Sequence, residues 1–338
     1  MARSFIGIRP GLLAQPRRCL LHLLSTSDID SSTVFALELI QNMDNYGHTV
    51  IYADPPGSMP ETLMWALQAY GVNLLQVDSF NAIDRVEEYA AAIAYNVGGE
   101  LNLPIPTIYY AYNTFSAGVA HDVLIAPSEY MRAQLRSRWN VTPDYVMPPA
   151  VRSRMFRGLK RNAETNQPFT VGIFSSGRPN KYPKRCIEQL MEYVPDDVRL
   201  IFTHLSEKGA KPKRRRPNIW MVPKMLDAAL KGLQLSDVAI YAHSDDHVST
   251  YGRLCMEMLA TGVPVICQRK GAPASILEDG KHVLFFDRHS EIIPRIRLLR
   301  QDPRLGEMLG ANGQLFASWH DITIHVGTIK GVLRTLGA

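Results

Sequence analysis

Cysteine is scarce in this sequence, with four in 338 residues. Metal sites built from cysteine need pairs a few residues apart, and disulfide-rich secreted domains need a much higher cysteine content. No such pairs occur, and three of the four cysteines fall inside apolar runs. We therefore expect small buried side chains with free thiols in a reducing compartment. The four are Cys19, Cys186, Cys255 and Cys267.

Long apolar runs are also missing. A helix that crosses a membrane needs roughly 20 apolar residues, and the run CLLHLLS after Arg17-Arg18 is much shorter. The sequence also has no internal repeat of the period that marks solenoid proteins. These absences predict a soluble, cytoplasmic protein.

The length and charge of the chain set further limits. A chain of 338 residues exceeds the size at which one hydrophobic core usually stops growing, which predicts two domains with a cleft between them. Apolar residues at 46% and charged residues at 20% are typical of globular proteins and exclude a disordered or fibrous one. The net charge of +5 favours an anionic partner, and nucleotide diphosphates, DNA and acidic lipid surfaces all qualify.

Short aliphatic or β-branched runs alternate with amphipathic stretches along the whole chain. This alternation is typical of parallel sheets whose strands are joined by crossover helices. It predicts an α/β fold with two sheets. The predicted strands of the first half are 19–25, 49–53, 74–77, 107–111 and 123–126. The second series opens at FTVGIFSSG, residues 169–177, with the strand VGIF, and continues with strands at 198–203, 219–222, 238–241, 263–267 and 283–286.

The segment PPAVRSRMFRGLKRNAETNQP, residues 148–168, interrupts the alternation with prolines and polar residues. Such a break is typical of a domain boundary. We therefore predict one domain over 1–160 and a second over 161–318. The remaining residues, 319–338, are predicted to form a helix that packs back toward the first domain.

The turn that follows the predicted strand VGIF has the sequence SSGRPNK, residues 175–181. Gly177 and the two serines before it are small enough for backbone amides to approach a phosphate. Arg178 can donate paired hydrogen bonds to an oxyanion, and Lys181 can add a compact positive charge. The turn therefore predicts a phosphate site, and its alternative interpretation is a solvated basic loop.

A second candidate site lies in VSTYGRLCMEMLATGVPVICQRKG, residues 248–271. Small and hydroxyl residues precede a helix predicted at about 252–260, and the free amides at the start of such a helix suit a diphosphate. Glu257 lies about one and a half turns into this helix, among apolar neighbours where an unpaired carboxylate is costly. We predict that it accepts hydrogen bonds from vicinal hydroxyls such as those of a ribose. The alternative is a salt bridge with a nearby arginine.

The segment YGRLCMEMLATGVPVICQRKGAPASILEDGKHVLFF resembles the donor-binding segment of retaining GT-B glycosyltransferases of the large family 4 type. In those enzymes two glutamates separated by seven residues precede a small-residue turn, Pro-Val, a glycine-rich loop and Asp-Gly. Weaker similarities follow in the family's order over residues 19–335, in VFALELIQNMDNYGHTVIYA, VLIAPSEYMRAQL, YVMPPAVRSRMF, SSGRPNKYPKRCIEQL and NIWMVPKMLDAALKGLQLSDVAIYAHS. The resemblance implies two doubly wound Rossmann-like domains that face each other across a cleft, the first binding the acceptor and the second the nucleotide-sugar donor.

The resemblance also implies roles for individual residues. Glu257 would bind the ribose of the donor, and Val222 falls where the nucleobase contacts main chain. Arg178 and Lys181 would clamp the diphosphate and, together with the backbone amides of 250–252, supply most of the catalysis, without a metal ion. The residues implied in donor binding are Gly177, Val222, Ser249, Thr250, Tyr251, Gly252 and Glu257.

This sequence departs from the family pattern at several of these positions. Ser249 replaces the first glutamate of the pair, and Ser275 stands where the family often has another glutamate. Ser31 and Ser32 occupy the place of the glycine pair in the first loop, where they are small enough to permit close approach of the donor. These changes leave the identity of the sugar open.

A histidine that the family carries after the strand PTIYYAYN is absent here, and Tyr112 or Asn113 occupies its place as a candidate catalytic group. Three histidines near predicted strand ends are candidate replacements. They are His121, His22 and His243, although a single histidine in such a place is more often a structural group.

These features predict an enzyme that transfers a sugar from a UDP- or GDP-sugar to an acceptor hydroxyl with retention of configuration. One acceptor is a hydroxymethylated pyrimidine in phage-type DNA, to which the basic run KGAKPKRRRP, residues 208–217, would bind; that run is alternatively a solvated loop. The other acceptor is a glycan or lipid-linked saccharide, with peripheral contact at an anionic surface. Two other functions stay open, namely a non-catalytic nucleotide-sugar-binding module and an epimerase that releases and rebinds its diphosphate.

Overall fold

The computed structural model describes residues 3–4, 18–24, 31–53, 61–112, 115–156, 168–174, 181, 183–202, 218–221 and 232–338. The chain forms two compact units. The first contains Met1–Ala150 together with Ile322–Ala338, and the second contains Val151–Asp321. The chain therefore leaves the first unit once and returns to it with its last helix.

The described residues of the first unit include an eight-stranded sheet in the order β1-β4-β3-β2-β5-β6-β7-β8. Neighbouring strands are parallel except for β1, which is antiparallel to β4. The central strands β2 and β5 are almost wholly buried, as expected of parallel strands covered on both faces. The bounds are β1 Arg3–Ser4, β2 Cys19–Leu24, β3 Gly47–Tyr52, β4 Asn73–Gln76, β5 Ala91–Tyr95, β6 Thr107–Tyr110, β7 Val123–Ala126 and β8 Tyr145–Val146.

The described residues of the second unit include a six-stranded parallel sheet in the order β11-β10-β9-β12-β13-β14. This is the doubly wound order, in which the chain winds outward in one direction from β9 and in the other from β12. Ligands of such sheets bind beyond the carboxyl ends of the strands at this switch point. The bounds are β9 Thr170–Ile173, β10 Arg199–Phe202, β11 Ile219–Met221, β12 Val238–Tyr241, β13 Val265–Gln268 and β14 Leu284–Phe286.

Helices connect and cover the strands. In the first unit they are α1 Ser31–Asn42, α2 Glu61–Ala69, α3 Glu129–Trp139 and α10 Ile322–Thr335. In the second they are α4 Ser153–Phe156, α5 Lys184–Tyr193, α6 Arg253–Ala260, α7 Gly271–Ile276, α8 Ile292–Gln301 and α9 Pro303–Ser318. Short 3₁₀ turns occur at Phe80–Ala82, Val86–Glu88 and His289–Glu291.

The last helix, α10, is part of the core of the first unit, where it packs on α1. The ring of His325 lies 6.0 Å from that of Phe35 in an edge-to-face arrangement. The Nε2 atom of the same histidine is 2.7 Å from the carbonyl oxygen of Pro148. These contacts fix the end of the chain to both the first helix and the last connection of this unit.

The predicted α/β fold of two doubly wound Rossmann-like domains is confirmed. The chain passes between the units after Ala150 and after Asp321, whereas the predicted boundaries are at 160 and 318. Ala91–Tyr95, the strand β5 at the centre of the first sheet, was not predicted from the sequence. All four cysteines are free thiols, three of them buried and Cys19 half-buried. In the described portion of the chain, every helix is too short or too polar to cross a membrane.

Candidate functional site

The candidate site lies where the two central strands of the second sheet end. Strands β9 and β12 are parallel neighbours, so the loops that follow them leave the sheet side by side. The first loop contains the predicted phosphate turn, and the second leads to the start of α6. The predicted residues Gly177 and Arg178 lie outside the described residues, as does Val222. Lys181, at the end of the first loop, is described and half-buried.

A hydrogen bond joins the two loops directly. The backbone N–H of Ser244 donates to the carbonyl oxygen of Lys181, with 3.3 Å between nitrogen and oxygen. The second loop is also fixed from other sides. Arg185 of α5 pairs with the carboxylate of Asp245 at 2.7 Å, and the ammonium group of Lys270 donates to the carbonyl oxygen of Asp245. The structure thus places the backbone of Lys181 against the loop after β12, and its role as a phosphate ligand stays a prediction.

The turn before α6 is held by close backbone contacts. The N–H of Gly252 donates to Oγ of Ser249 at 3.0 Å, and the N–H of Ala272 donates to the carbonyl oxygen of Ser249 at 2.8 Å. Gly252 has φ +73°, a conformation that L side chains rarely adopt. Gly271 has φ +63°, and a Cβ atom there would lie 2.3 Å from the carbonyl oxygen of Ser249. Two glycines therefore allow the loops after β12 and β13 to touch.

Glu257 is paired with an arginine of its own helix. Its Oε1 atom accepts a hydrogen bond from Nε of Arg253 at 2.7 Å, one turn earlier in α6. The side chain of Arg253 is 9% exposed and that of Glu257 is 24% exposed, so the pair is largely removed from water. This pair explains how a carboxylate is tolerated in an otherwise apolar helix. The ribose-binding role of Glu257 stays a prediction.

Two histidines follow β12 in the same loop as Ser249. The rings of His243 and His247 are 4.8 Å apart and nearly perpendicular. Burial lowers the pKa of His243 to about 3, and the positive charges of Lys181 and Lys270 add to this effect. Burial and the same two lysines lower the pKa of His247 to about 4. Both imidazoles are therefore neutral at pH 7, and the lysines supply the positive charge.

The other predicted residues of the first unit lie at two different edges of its sheet. Ser31 and Ser32 begin α1, beyond the carboxyl end of β2, and Ser32 is buried. Tyr112 follows the carboxyl end of β6 and stacks on Tyr110 with 5.5 Å between ring centroids. His121 instead precedes β7, so it lies at the amino end of that parallel strand. Asn113 lies outside the described residues.

His22 belongs to a buried network in the middle of the first sheet. Its Nε2 atom is 3.0 Å from Nδ1 of His48, and its Nδ1 atom is 3.1 Å from the hydroxyl of Tyr95. Nε2 of His48 is 3.0 Å from the carbonyl oxygen of Met43. Both ring nitrogens of His22 thus have protein partners, and the geometry favours the structural interpretation of this histidine.

Sequence reasoning missed three residues of the candidate site, Tyr241, His247 and Lys270. A signal for them was present, because each lies within a few residues of the carboxyl end of β12 or β13. Residues at that edge of a parallel sheet are the first to inspect for ligand binding. In the described residues, no cluster of three or more His, Cys, Asp or Glu side chains is arranged to hold a metal ion.

Comparison with known proteins supports the fold over nearly the whole chain. The structure of Anabaena Alr3699/HepE in complex with UDP-glucose superposes with a TM-score of 0.73 at 14% identity, covering 94% of this chain and 99% of that one. A glycosyltransferase from Rickettsia africae ESF-5 superposes with a TM-score of 0.74 at 11% identity, covering 95% and 99%. The chain therefore has the GT-B glycosyltransferase fold.

Sequence comparison covers much less of the chain. No family model matches it. A curated relative, the alpha-monoglucosyldiacylglycerol synthase of Acholeplasma laidlawii, is 28% identical over 82 residues. This segment is 24% of the present chain and 20% of that relative, so the chain matches about a fifth of the relative's length.

Proposed function

We propose that this protein is a glycosyltransferase that transfers a sugar from a nucleotide-diphosphate sugar, most simply a UDP-sugar, to an acceptor hydroxyl. The observation that carries the proposal is the hydrogen-bonded junction between the loops after β9 and β12. Lys181 and Lys270 lie near this junction at the switch point of a Rossmann-like sheet. A GT-B structure with UDP-glucose bound, at a TM-score of 0.73, supports the donor class.

In this proposal the diphosphate is held by positive charge and backbone amides. Negative charge grows on the leaving diphosphate as the bond to the sugar breaks, so fixed cations stabilise the transition state more than the ground state. Lys181 and the predicted cation Arg178 would supply the charge, and the amides of 250–252 would supply donors. These groups remove the need for a metal ion. Attack by the acceptor on the face that the diphosphate leaves would retain the configuration of the sugar.

Glu257 would contact the ribose through its carboxylate oxygen Oε2. The Arg253 pair holds Oε1 at 2.7 Å and so fixes the orientation of the carboxylate. A carboxylate oxygen can accept hydrogen bonds from both hydroxyls of a ribose. The salt bridge and the ribose contact are therefore compatible parts of one arrangement.

The acceptor that we favour is a lipid-linked or glycan hydroxyl. The aligned relative is named for the synthesis of a glucosylated diacylglycerol. That name favours a lipid acceptor over DNA. The basic run 208–217, on which the DNA alternative depends, lies outside the described residues. Hydroxymethylated DNA is therefore the alternative acceptor, and the experiment below includes it.

Turnover of nucleotide sugars tests the proposal. The purified protein is incubated with UDP- and GDP-sugars, with and without vesicles that contain diacylglycerol or a glycolipid, and with duplex DNA that contains 5-hydroxymethylcytosine. A transferase releases nucleotide diphosphate, slowly by hydrolysis when no acceptor is present and faster with the right acceptor. Bound donor that stays intact under all conditions would instead indicate a binding module, and interconversion of the sugar with intact diphosphate would indicate an epimerase.

A further inference from the structure

A chain of polar contacts leads from the backbone at the start of α6 to a buried histidine. The N–H of Gly252 donates to Oγ of Ser249 at 3.0 Å, and the Ser249 hydroxyl is a hydrogen-bonding partner of the Tyr241 hydroxyl. The Tyr241 hydroxyl is 2.8 Å from Nε2 of His243. The rings of Tyr241 and His243 lie 4.8 Å apart in an edge-to-face arrangement. We call these three side chains the Ser249–Tyr241–His243 relay.

The relay leaves one polar atom without a partner. Nδ1 of His243 makes no hydrogen bond with any described residue, although the histidine is only 9% exposed. The carbonyl oxygen of Lys181 lies beside the ring and also accepts the N–H of Ser244, but it makes no hydrogen bond of good geometry with Nδ1. A buried polar atom that lacks a partner is uncommon in folded proteins and calls for an explanation.

The direction of the relay follows from the backbone group at its start. The Gly252 N–H can only donate, so the Ser249 oxygen accepts there and its own proton is available for Tyr241. Tyr241 then donates its proton to Nε2 of His243. A neutral imidazole that accepts at Nε2 carries its proton on Nδ1. The neighbouring Lys181 carbonyl favours the same tautomer, because a lone pair on Nδ1 would face the oxygen and be repelled.

The surroundings of Nδ1 are positive. The charges of Lys181 and Lys270 act on the His243 ring, and the ammonium group of Lys270 donates to a backbone carbonyl rather than to a carboxylate. A neutral N–H donor beside two ammonium groups matches a ligand that brings several oxygen acceptors and negative charge. The diphosphate of the proposed donor has both.

We propose that the Ser249–Tyr241–His243 relay fixes His243 as an Nδ1–H donor to a phosphate oxygen of the nucleotide diphosphate. This inference rests on the proposed function. His243 is then a substrate-binding residue, while Tyr241 and Ser249 are positioning residues that act through it. The relay also gives a reason for Ser249 in place of the glutamate of the resembling enzymes. A carboxylate only accepts hydrogen bonds, so it could not donate to Tyr241 and the direction of the relay would be lost.

The tautomer of His243 is measured first, in the free protein, by long-range ¹H–¹⁵N NMR of the imidazole nitrogens. The proposal expects a protonated Nδ1 in the wild type and a mixture of tautomers in Ser249→Ala and Tyr241→Phe. A wild-type His243 protonated on Nε2 would overturn it. This measurement needs no nucleotide, so it is independent of whether the protein is a transferase.

Ligand binding is measured second, with UDP and uridine as a matched pair of ligands. His243→Ala is expected to weaken UDP about tenfold or more and to leave uridine unchanged, since uridine has no phosphate. His243→Asn places an amide donor near the position of Nδ1 and should restore most of the UDP affinity. Equal weakening of both ligands, or no effect of His243→Ala on UDP, would overturn the proposal. Unfolding curves of each variant separate these effects from misfolding.

Failure of the proposed function gives a different result. If the wild type binds neither UDP nor any nucleotide sugar, the transferase proposal fails. Inorganic pyrophosphate then serves as the probe of the relay. Weaker pyrophosphate binding by His243→Ala supports a diphosphate contact at Nδ1, and unchanged or absent binding contradicts it.

Discussion

The guanidinium Nε of Arg253 lies 2.7 Å from Oε1 of Glu257, so the carboxylate singled out as a ribose ligand is also one half of a salt bridge. The two residues are one helical turn apart in α6, and the pair is mostly removed from water. Such a pair fixes the orientation of the carboxylate before any ligand arrives. The other carboxylate oxygen, Oε2, is the one expected to contact the donor.

We predict that Glu257→Gln lowers the discrimination between UDP and 2′-deoxy-UDP. The wild type should bind UDP about tenfold more tightly, because the carboxylate accepts from a ribose hydroxyl that the deoxy compound lacks. In Glu257→Gln the neutral amide makes a weaker contact, and the two ligands should bind with similar affinity. Isothermal titration calorimetry measures both constants. An unchanged preference in the variant would show that Glu257 serves only the salt bridge.

We predict that Lys181→Ala lowers kcat/KM for the nucleotide sugar by more than about tenfold, equivalent to about 1.4 kcal/mol of transition-state stabilisation. The reason is the loss of a cation from the junction of the loops after β9 and β12. Steady-state kinetics with the donor identified in the turnover assay provides the measurement. Arg178→Ala is expected to behave in the same way.

The matched control for this prediction is Lys184→Ala. Lys184 is three residues further along, exposed at the start of α5, and its ammonium group is 3.8 Å from Glu188 of the same helix. Removing an exposed charge of this kind should change kcat/KM less than about twofold. Equal losses in Lys181→Ala and Lys184→Ala would indicate a general effect of net charge and contradict the assignment of Lys181.

We predict that Gly271→Ala disrupts the candidate site more than Gly280→Ala. Both glycines have positive φ, +63° and +71°, so alanine brings backbone strain of about 1–2 kcal/mol at either position. A Cβ atom at Gly271 would also lie 2.3 Å from the carbonyl oxygen of Ser249, whereas nothing lies within 4 Å of one at Gly280. Gly271→Ala must therefore move the turn that begins α6, and it should lose nucleotide binding. If the two variants have equal melting temperatures and equal UDP affinity, the contact between these loops is not important.

We predict that the first unit loses stability in mild acid through His22 and His48. Burial is the main reason why the pKa of His22 lies well below 6.5 and that of His48 is lowered. The unfolded chain therefore binds more protons than the folded one, so this contribution is fully present above about pH 6.5 and is lost as the pH falls toward the folded values. The expected slope is at most about 1.4 kcal/mol per pH unit for each histidine. Hydrogen exchange of β2 and β3 between pH 7.5 and pH 5 measures it.

The control for the acid effect is His48→Gln, which keeps an amide donor near the carbonyl of Met43 and removes one titrating group. The dependence of β2 and β3 exchange on pH should become shallower in this variant, after correction for the intrinsic exchange rate. A slope identical to that of the wild type would place the acid sensitivity elsewhere.

Much of the fold was predictable because parallel strands buried on both faces appear as short aliphatic runs. The strand β5 escaped prediction because three of its five residues, Ala91, Ala92 and Ala94, have a low preference for strands. Its place in the sheet is decided by packing between β2 and β6, where small side chains fit under the covering helices. Local composition carries no information about those neighbours.

The position of the candidate site was predictable from the order of strands and loops along the chain. The loops after β9 and β12 were identified from strand ends, and the helix predicted at 252–260 is observed at Arg253–Ala260. The partner of Glu257 could be given only as an alternative, because spacing in a helix permits the Arg253 pair without requiring it. The role of His243 depends on which hydroxyl reaches Nε2, and that follows from three-dimensional contacts between residues of different loops.

The return of α10 to the first unit has a consequence for how this protein is made. The second unit, Val151–Asp321, is an insertion within the first, and the helix that covers α1 is synthesised after all of it. During translation the side of α1 that α10 covers stays uncovered until α10 itself has left the ribosome. A fragment that stops at Asp321 would present that surface to water, and it should need a separately supplied peptide of Ile322–Ala338 to become resistant to proteases.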